Sequence, residues 1–183
     1  MIAATELLAH GGTGATSAKE ICGRAGVSLT AFYECFSSKE ACIFAAYDRF
    51  IAVLVAHLES TGGDGVEWDD YVGQVVGAYI DTLADDVVVA RAFQVEMDSL
   101  GPMARQRRRE ALTALGRFLR AKHAEWDPRA EARLPEAAYV AAVYGVRQLA
   151  SDALDGPGSD FAQLKDDVIV WVSVMFALPG DKT

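Results

Sequence analysis

The segment "TSAKEICGRAGVSLTAFYECFSSKEACIFAAY" (Thr16–Tyr47) breaks an otherwise apolar chain with repeated helix-start signals. Ser17 and Glu20 form a capping box, which predicts a short helix that runs to about Arg24. Gly26 follows and supplies a tight turn, because glycine adopts a positive φ at little steric cost. The segment therefore predicts a short helix that ends in a sharp change of direction.

Two further start signals follow this turn. Ser28 caps a second short helix, Leu29–Cys35, and Ser37 with Glu40 forms another capping box before a longer helix. Two short helices around a glycine turn are typical of the helix-turn-helix unit, whose second helix enters the major groove of DNA. The alternative is an ordinary helical hairpin with solvated polar positions, since this geometry recurs in proteins that bind no DNA.

The residue types along the two short helices fit a helix-turn-helix. Small residues let the helices approach each other, and apolar residues fill a small core between them: Ala18, Ala25 and Ala31, and Ile21, Val27, Leu29, Phe32 and Phe36. Ser28, Thr30, Tyr33 and Lys39 remain as donors for phosphates and base edges. The helix start at Ser17 offers free backbone N–H groups to a phosphate.

The same stretch resembles the DNA-binding segment of TetR-type transcriptional regulators, whose usual pattern is T-x-x-x-I-A-x-x-A-G-V-S-x-x-x-[FL]-Y-x-[HY]-F-x-[SN]-K-E-x-L. The matching positions are Thr16 or Ser17, Ile21, Ala25, Gly26, Val27, Ser28, Phe32, Tyr33, Phe36, Ser38, Lys39 and Glu40. The resemblance implies an all-α fold with a three-helix N-terminal DNA-binding head. It also implies a larger C-terminal bundle that binds a small ligand and dimerises through its last two helices.

The resemblance also implies roles for single residues of the head. Tyr33 and Lys39 resemble the family's phosphate contacts, Ser17 resembles its backbone contact, and Thr30 lies on the recognition helix. The predicted DNA-binding residues are Ser17, Ser28, Leu29, Thr30, Tyr33 and Lys39.

The head also departs from the pattern expected of a DNA reader. Cys35 stands where a phosphate-donating His or Tyr is common, and Glu34 adds a negative charge to the recognition helix. Residues 1–46 carry three basic and four acidic side chains, although phosphate neutralisation dominates DNA affinity. These departures keep open a second hypothesis, a sensor of the same fold with weak or lost DNA binding.

Composition sets wider limits on the class of protein. Of 183 residues, 51% are hydrophobic and 23% charged, which indicates a globular chain, and the net charge of −9 argues against a general nucleic-acid coat. The N-terminus lacks a signal-peptide pattern, and the longest apolar run, Val168–Leu178, is too short to span a bilayer. We therefore expect a cytoplasmic protein with no membrane partner.

Most of the remaining sequence has helical periodicity. Helices are predicted over about 2–9, 39–58, 66–83, 85–100, 103–124, 136–154 and 161–178, with breaks at Ser60–Gly65, 127–135 and 155–160. The predicted domains are a helix-turn-helix domain at 1–46 and a helical ligand-binding and dimerisation domain at 47–183.

No catalytic or metal-binding pattern stands out. The three His residues are scattered, and "GGTGAT" (Gly11–Thr16) lacks the strand and the Gly-Lys of a phosphate loop. We expect no enzyme activity, no cofactor and no metal. Cys22, Cys35 and Cys42 are interpreted as small apolar fillers, with a redox switch as the alternative. The basic run Arg105–Glu110 is interpreted as a solvated face, with a positive field toward DNA as the alternative.

The C-terminal bundle is rich in aromatic residues, which predicts a mainly apolar pocket for a small hydrophobic or aromatic ligand. The predicted lining residues are Tyr71, Phe93, Gln94, Met97, Phe118, Tyr144, Arg147 and Gln148, with Glu96 as a further polar candidate. Small residues at 138, 141, 142 and 145 and apolar residues at 168, 171, 172 and 175 predict a homodimer through residues 136–154 and 161–178. The resulting hypothesis is a repressor that a small molecule releases from a double-stranded DNA operator.

Overall fold

The chain is described by a computed structural model, which covers residues 1–14, 16–62, 65–156 and 160–178. The described residues form helices and connections without a strand. The helices are α1 (Ile2–Gly11), α2 (Ala18–Ala25), α3 (Leu29–Cys35), α4 (Lys39–Glu59), α5 (Trp68–Asp85), α6 (Val87–Gln94), a 3₁₀ helix (Glu96–Leu100), α7 (Pro102–Trp126), α8 (Ala130–Arg133), α9 (Glu136–Asp155) and α10 (Phe161–Met175). The predicted all-α fold is confirmed.

The head consists of α1 to α3 and the first turns of α4, packed around one apolar core. Leu8, Ile21, Phe32 and Ile43 are buried there. The same core also takes in residues of α6, the 3₁₀ helix and α7, namely Ala92, Phe93, Met97 and Ala104. The core of the head is therefore continuous with the rest of the protein. The predicted division at residue 46 falls inside the unbroken helix α4.

The C-terminal bundle is built from two main helix pairs, α7 against α9 and α5 against α10. The first pair approaches closely at Gly116, where an added Cβ would lie 2.8 Å from Val140 Cγ2 and 3.0 Å from its Cα. The bundle core is a second cluster that includes Val72, Ile80, Leu83 and Val168. A glycine at the crossing therefore sets the spacing of these two helices.

The end of the bundle far from the head is filled by rings, and we call it the aromatic end: Trp68, Tyr71, His123, Trp126, Tyr139 and Phe176. Trp68 stacks on His123 with ring centroids 4.5 Å apart, and Tyr139 stacks on Phe176 at 4.9 Å. The Trp68 indole N–H donates to the Phe176 carbonyl at 2.9 Å. His123 Nδ1 and the Tyr139 hydroxyl are 2.8 Å apart. These contacts tie the ends of α5, α7, α9 and α10 together.

Most helix boundaries lie close to the predicted ones, and the differences concern one cap, one helix end, one divided helix and one additional short helix. Helix α4 is capped by Ser38, not by Ser37 with Glu40, because the Ser38 hydroxyl accepts the Ala41 N–H at 3.1 Å. The final helix ends at Met175, short of the predicted residue 178. The segment predicted as one helix over 85–100 divides into the last residue of α5, then α6 and the 3₁₀ helix, and α8 lies within the predicted connection 127–135. Parts of the breaks predicted around 63–64 and 157–159 lie outside the described residues.

The surface formed by α9 and α10 differs in detail from the predicted dimer face. Ala142, Val168 and Val172 are buried in the bundle core, because they lie on the inner sides of their helices. Other apolar residues of the two helices are exposed, namely Tyr144, Leu149, Val170, Trp171 and Val174. Trp171 covers Gly145, where an added Cβ would lie 2.9 Å from the indole ring. We call this set of exposed residues the outer face.

Helix α4 has the length and composition of a membrane span. The core helix of a soluble protein has the same character, and α4 buries Ile43, Tyr47, Leu54 and Leu58 within the protein. Its composition is therefore explained by packing.

Candidate functional site

The position of α3 is set by local chemistry on both sides of a tight turn. The Ser17 hydroxyl accepts the Glu20 N–H at 3.2 Å, and the Glu20 carboxylate accepts the Ser17 N–H at 2.8 Å. This predicted capping box is confirmed. Gly26 is left-handed with φ 68°, and the Ser28 hydroxyl accepts the Ala31 N–H at 3.1 Å. Helix α3 therefore begins in a fixed direction relative to α2.

Helix α3 presents almost its whole surface to solvent. Within α3, all of whose residues the structure describes, Phe32 alone is buried. Tyr33 is 56% exposed and Leu29 is 45% exposed, and Thr30 is also exposed. The predicted DNA-binding residues Ser17 and Ser28 are also exposed. The prediction that Val27 and Leu29 fill the head core was wrong, because both side chains point outward.

The cations of the head are partly engaged within the protein. The Lys39 ammonium donates to the Thr13 carbonyl at 3.1 Å. Arg24 Nε lies 2.5 Å from a carboxylate oxygen of Glu6. Glu34 is exposed on α3 itself. Two cationic side chains of the head, Lys39 and Arg24, therefore already have partners within the protein.

A narrow cavity of about 100 Å³ lies in the bundle between α4, α5, α6, α7, α9 and α10. Its walls are mostly aliphatic and aromatic, with Leu54, Leu58, Val75 and Leu119 among them. Five of the predicted ligand-binding residues line it: Tyr71, Phe93, Gln94, Phe118 and Arg147. The structure thus brings the larger part of the predicted set together.

The other predicted lining residues lie elsewhere. Met97 is fully buried in the core of the head. Tyr144 is exposed, and Gln148 is exposed and donates to Asp152 at 2.8 Å. Glu96 faces Arg91 at 3.9 Å. These four side chains therefore do not line the cavity, and amino-acid composition alone could not distinguish them from the side chains that do.

Polar groups gather where the cavity meets the head, and we call this region the arginine end: Tyr47, Tyr79, Gln94, Arg108 and Arg147. Arg147 Nη2 donates to the Gln94 carbonyl, which also accepts the Ser151 hydroxyl at 3.0 Å. Arg108 forms an ion pair with Asp98 of the 3₁₀ helix. Burial raises the pKa of Tyr47 to about 12 and raises the pKa of Tyr79 further. Both phenols therefore stay neutral at physiological pH.

Sequence reasoning missed Tyr47, Tyr79 and Arg108. Arg108 belongs to the basic run that was interpreted as a solvated face, and that interpretation is wrong for this residue, which is 8% exposed. Arg107 of the same run pairs with Asp48 at 2.7 Å, whereas Arg105 and Arg109 are exposed. The helical register of the run, extended from Leu112 and Leu115, is the signal that would have placed Arg108 on the inner face.

The cysteines are free and form no shared site. Cys22 and Cys42 are buried, which fits small apolar fillers, and burial raises the pKa of the Cys42 thiol. Cys35 is exposed on α3. Among the residues that the structure describes, no group of three or more His, Cys, Asp or Glu side chains could hold a metal ion.

The described residues therefore combine a helix-turn-helix head, whose second helix faces outward, with a helical bundle that holds an apolar cavity. The family model "Bacterial regulatory proteins, tetR family" matches residues 1–46. The N-terminal head is therefore similar to the DNA-binding domain of that family, and the chain shares its fold with solved transcriptional regulators. No curated protein sequence matches the chain.

Solved structures of regulators share this fold over nearly the whole chain. The fatty acid degradation regulator FadR from Bacillus halodurans has a TM-score of 0.78 at 17% identity, covering 93% of this chain and 90% of its own. A transcriptional regulator from Rhodococcus sp. Rha1 has a TM-score of 0.75 at 20% identity, covering 95% and 92%. FadR from Bacillus subtilis, solved in complex with stearoyl-CoA, has a TM-score of 0.74 at 18% identity, covering 96% and 95%. At these identities the likeness concerns the fold.

Proposed function

We propose that this protein is a ligand-responsive DNA-binding transcriptional regulator, a cytoplasmic repressor that a small molecule releases from its operator. The observation that carries the proposal is the exposure of α3. A seven-residue helix that buries only Phe32 leaves Leu29 and Tyr33 in solvent. A stable isolated protein gains nothing from that arrangement, whereas a major groove would cover it.

The exposed residues divide by chemistry between bases and phosphates. Ser28 and Thr30 can reach base edges from the start of α3, and Leu29 can contact a thymine methyl group. The Tyr33 hydroxyl and the backbone N–H groups at Ser17 suit phosphate oxygens. Lys39 would reach a phosphate with the two ammonium hydrogens that its bond to the Thr13 carbonyl leaves over.

The cavity and the head share residues, which supports coupling between them. Tyr47 and Phe93 belong to the core of the head and also line the cavity, and their rings lie 5.7 Å apart. Helix α1 of the head packs directly on α6, which carries Phe93 and Gln94. A ligand that displaces these side chains would move the head, and a change in head position alters the fit to DNA.

We further propose that two copies pair through the outer face of α9 and α10. Val170, Trp171 and Val174 are exposed on α10, and Tyr144 and Leu149 on α9. Two-fold pairing would cover them and present two recognition helices to successive major grooves. Light scattering at micromolar concentration should give a dimer, and Val174→Glu a monomer. Val53→Glu, at an exposed site on α4, serves as the matched control and should stay dimeric. A wild-type monomer would contradict the pairing.

DNA binding is tested by selecting duplexes from a random pool and then measuring affinity against salt. Tyr33→Phe should weaken binding to all sequences about equally, because it removes a phosphate donor. Glu34→Gln should tighten binding, because it deletes a repulsive charge on α3. Glu59→Gln makes the same charge change at the far end of α4 and should leave affinity unaltered. If no duplex is enriched, or if Tyr33→Phe binds as well as wild type, the proposal fails.

A second candidate function is a sensor that has lost DNA binding. The bonds of Arg24 to Glu6 and of Lys39 to Thr13 favour it, because they occupy two of the three cations in residues 1–46. Under this alternative no duplex is enriched in the selection, while small molecules still raise the melting temperature by binding the folded state.

A further inference from the structure

Two arginines open onto a cavity whose other walls are mainly apolar. Arg108 on α7 and Arg147 on α9 both line the cavity, together with buried Gln94. Arg108 Nη1 and Arg147 Nε are buried and have no hydrogen-bond partner within the described part of the protein. Guanidinium groups that reach an apolar cavity with unused donors are costly unless something binds them.

The charges of the two arginines are compensated unequally. Arg108 pairs with Asp98, whose side chain is itself partly exposed. Arg147 donates to the Gln94 carbonyl and to the Gln148 side-chain oxygen at 3.4 Å, and forms no ion pair with a carboxylate of the described residues. Elsewhere in the bundle Arg91 pairs with Asp155 at 3.0 Å. At the arginine end, Arg108 is therefore paired directly with a carboxylate, whereas Arg147 contacts none within the described chain and has its charge favoured only at longer range by Asp152.

The two guanidinium groups also act on each other. Burial, and next the charge of Arg147, lower the pKa of Arg108 to about 10. Burial lowers the pKa of Arg147 as well. Both groups remain protonated at neutral pH, so the repulsion between them persists until an anion enters.

The cavity is elongated, and its polarity changes along its length. It follows α4 from Tyr47 to Leu58, a span of about 16 Å at 1.5 Å per residue. Tyr47 lies with the two arginines, whereas Leu58, Phe118 and Leu119 lie toward the aromatic end. A ligand that fits has an anion at one end and an apolar body along the rest.

We propose that the cavity binds a small apolar carboxylic acid, whose carboxylate lies between Arg108 and Arg147 and whose apolar body points toward Tyr71. A carboxylate accepts paired N–H bonds from guanidinium groups and supplies the missing negative charge. This inference rests on the proposed ligand-responsive function and names the ligand class of that same cavity. Because the anion binds beside Tyr47 and Phe93, it also acts where the cavity meets the head.

The test compares ligands that differ only at the head group. Straight-chain carboxylic acids of increasing length, their primary amides and their CoA thioesters are titrated into the full chain by calorimetry. We expect acids within one range of chain lengths to bind at least about tenfold more tightly than amides of the same length. A roughly tenfold change in Kd is the effect expected when one hydrogen bond to a charged group is lost. Arg147→Gln should weaken the acid about tenfold and leave the amide unchanged. Arg105→Gln, an exposed arginine on α7, is the control and should change neither.

Melting temperatures measured without ligand check that the variants fold. If Arg147→Gln does not fold, Arg108→Gln replaces it as the test variant. Equal affinity for acid and amide, or binding of thioesters without binding of free acids, would overturn the proposal. An absence of binding throughout would also overturn it. The duplex selection described above stays independent, so DNA binding can stand when the carboxylate proposal falls.

Discussion

The two ends of the bundle differ in how completely they are filled: stacked rings occupy the aromatic end, whereas tyrosines, a glutamine and two arginines border a cavity at the arginine end. Arg108 and His123 lie on the same face of α7, about 22 Å apart along the helix. At the aromatic end, rings stack within 6 Å of one another, and the indole N–H groups find carbonyl partners. Buried polar atoms without a hydrogen-bond partner among the described residues occur at both ends: the Tyr71 hydroxyl and His123 Nε2 at the aromatic end, and Arg108 Nη1 and Arg147 Nε at the arginine end, where the cavity meets the head. We therefore expect the aromatic end, the filled end, to contribute more to stability, whereas the arginine end, the unfilled end, is where we propose that a ligand binds.

The largest expected effect comes from emptying the filled end. Trp68→Ala removes a fully buried ring that stacks on His123 and donates to the Phe176 carbonyl. We expect the free energy of unfolding to fall by about 3–5 kcal/mol, as for large buried aromatic residues. Urea denaturation measures it. Trp171→Ala, at a site 38% exposed on the outer face, is the control and should cost clearly less. Equal losses would erase the distinction between the filled core and the surface.

A smaller loss should follow from separating α7 and α9. Gly116→Ala places a Cβ 3.0 Å from the Val140 backbone, which cannot rotate away. Overpacking of this kind costs about 1–3 kcal/mol. Gly73→Ala on α5 meets nothing within 4 Å, and it should stabilise the helix by about 0.5–1 kcal/mol. Thermal unfolding of both variants checks the sign, and a stable Gly116→Ala would mean that the helices are not held in close contact.

The filled end should also respond to acid. Burial lowers the pKa of His123 below its usual 6.5, while the nearby Asp127 opposes this shift. As the pH falls below 6.5, His123 therefore binds a proton more readily in the unfolded chain than in the folded chain. The free energy of unfolding consequently falls as the pH falls. His123→Gln should reduce the loss of unfolding free energy between pH 7.5 and 5.5. His57→Gln, at an exposed histidine, should leave it as in wild type. Identical slopes in all three proteins would contradict this.

The smallest expected loss is at the unfilled end. Arg147→Met removes a charge that no carboxylate of the described residues pairs, and replaces it with an apolar chain of similar length. Replacing a buried charge with a hydrophobic residue is often neutral or stabilising. Urea denaturation without ligand should show an equal or larger free energy of unfolding than wild type. A loss comparable to that of Trp68→Ala would show that the arginine supports the fold.

How far the sequence predicts the molecule depends on the range of the interaction. The Ser17–Glu20 box and the left-handed Gly26 were predicted because each depends on residues within a few positions. The cap at residue 38 was misplaced because two consecutive serines offer the same chemistry, and only the backbone angles distinguish them. Short-range signals therefore fix the head well.

The cavity shows the opposite case. A cavity is the space that packed helices leave, so it depends on contacts between residues far apart in the chain. Phe93 and Met97 are both large apolar residues on neighbouring turns and both belong to the core of the head, yet only Phe93 also lines the cavity. Arg108 was not predicted to be buried, because it belongs to a basic run that was interpreted as a solvated face, and its neighbours Arg105 and Arg109 are indeed exposed. Three residues of the predicted dimer face, Ala142, Val168 and Val172, are buried in the bundle core, and pairing through α9 and α10 stays a prediction.

The placement of the three tryptophans makes this protein its own optical reporter. Trp68 and Trp126 lie together in the aromatic end, with ring centroids 5.4 Å apart, so their near-ultraviolet emission follows the integrity of the core. Trp171 lies half in water on the outer face, so its emission wavelength follows hydration there. Unfolding of the core and covering of the outer face would therefore shift different parts of one spectrum, without any attached dye.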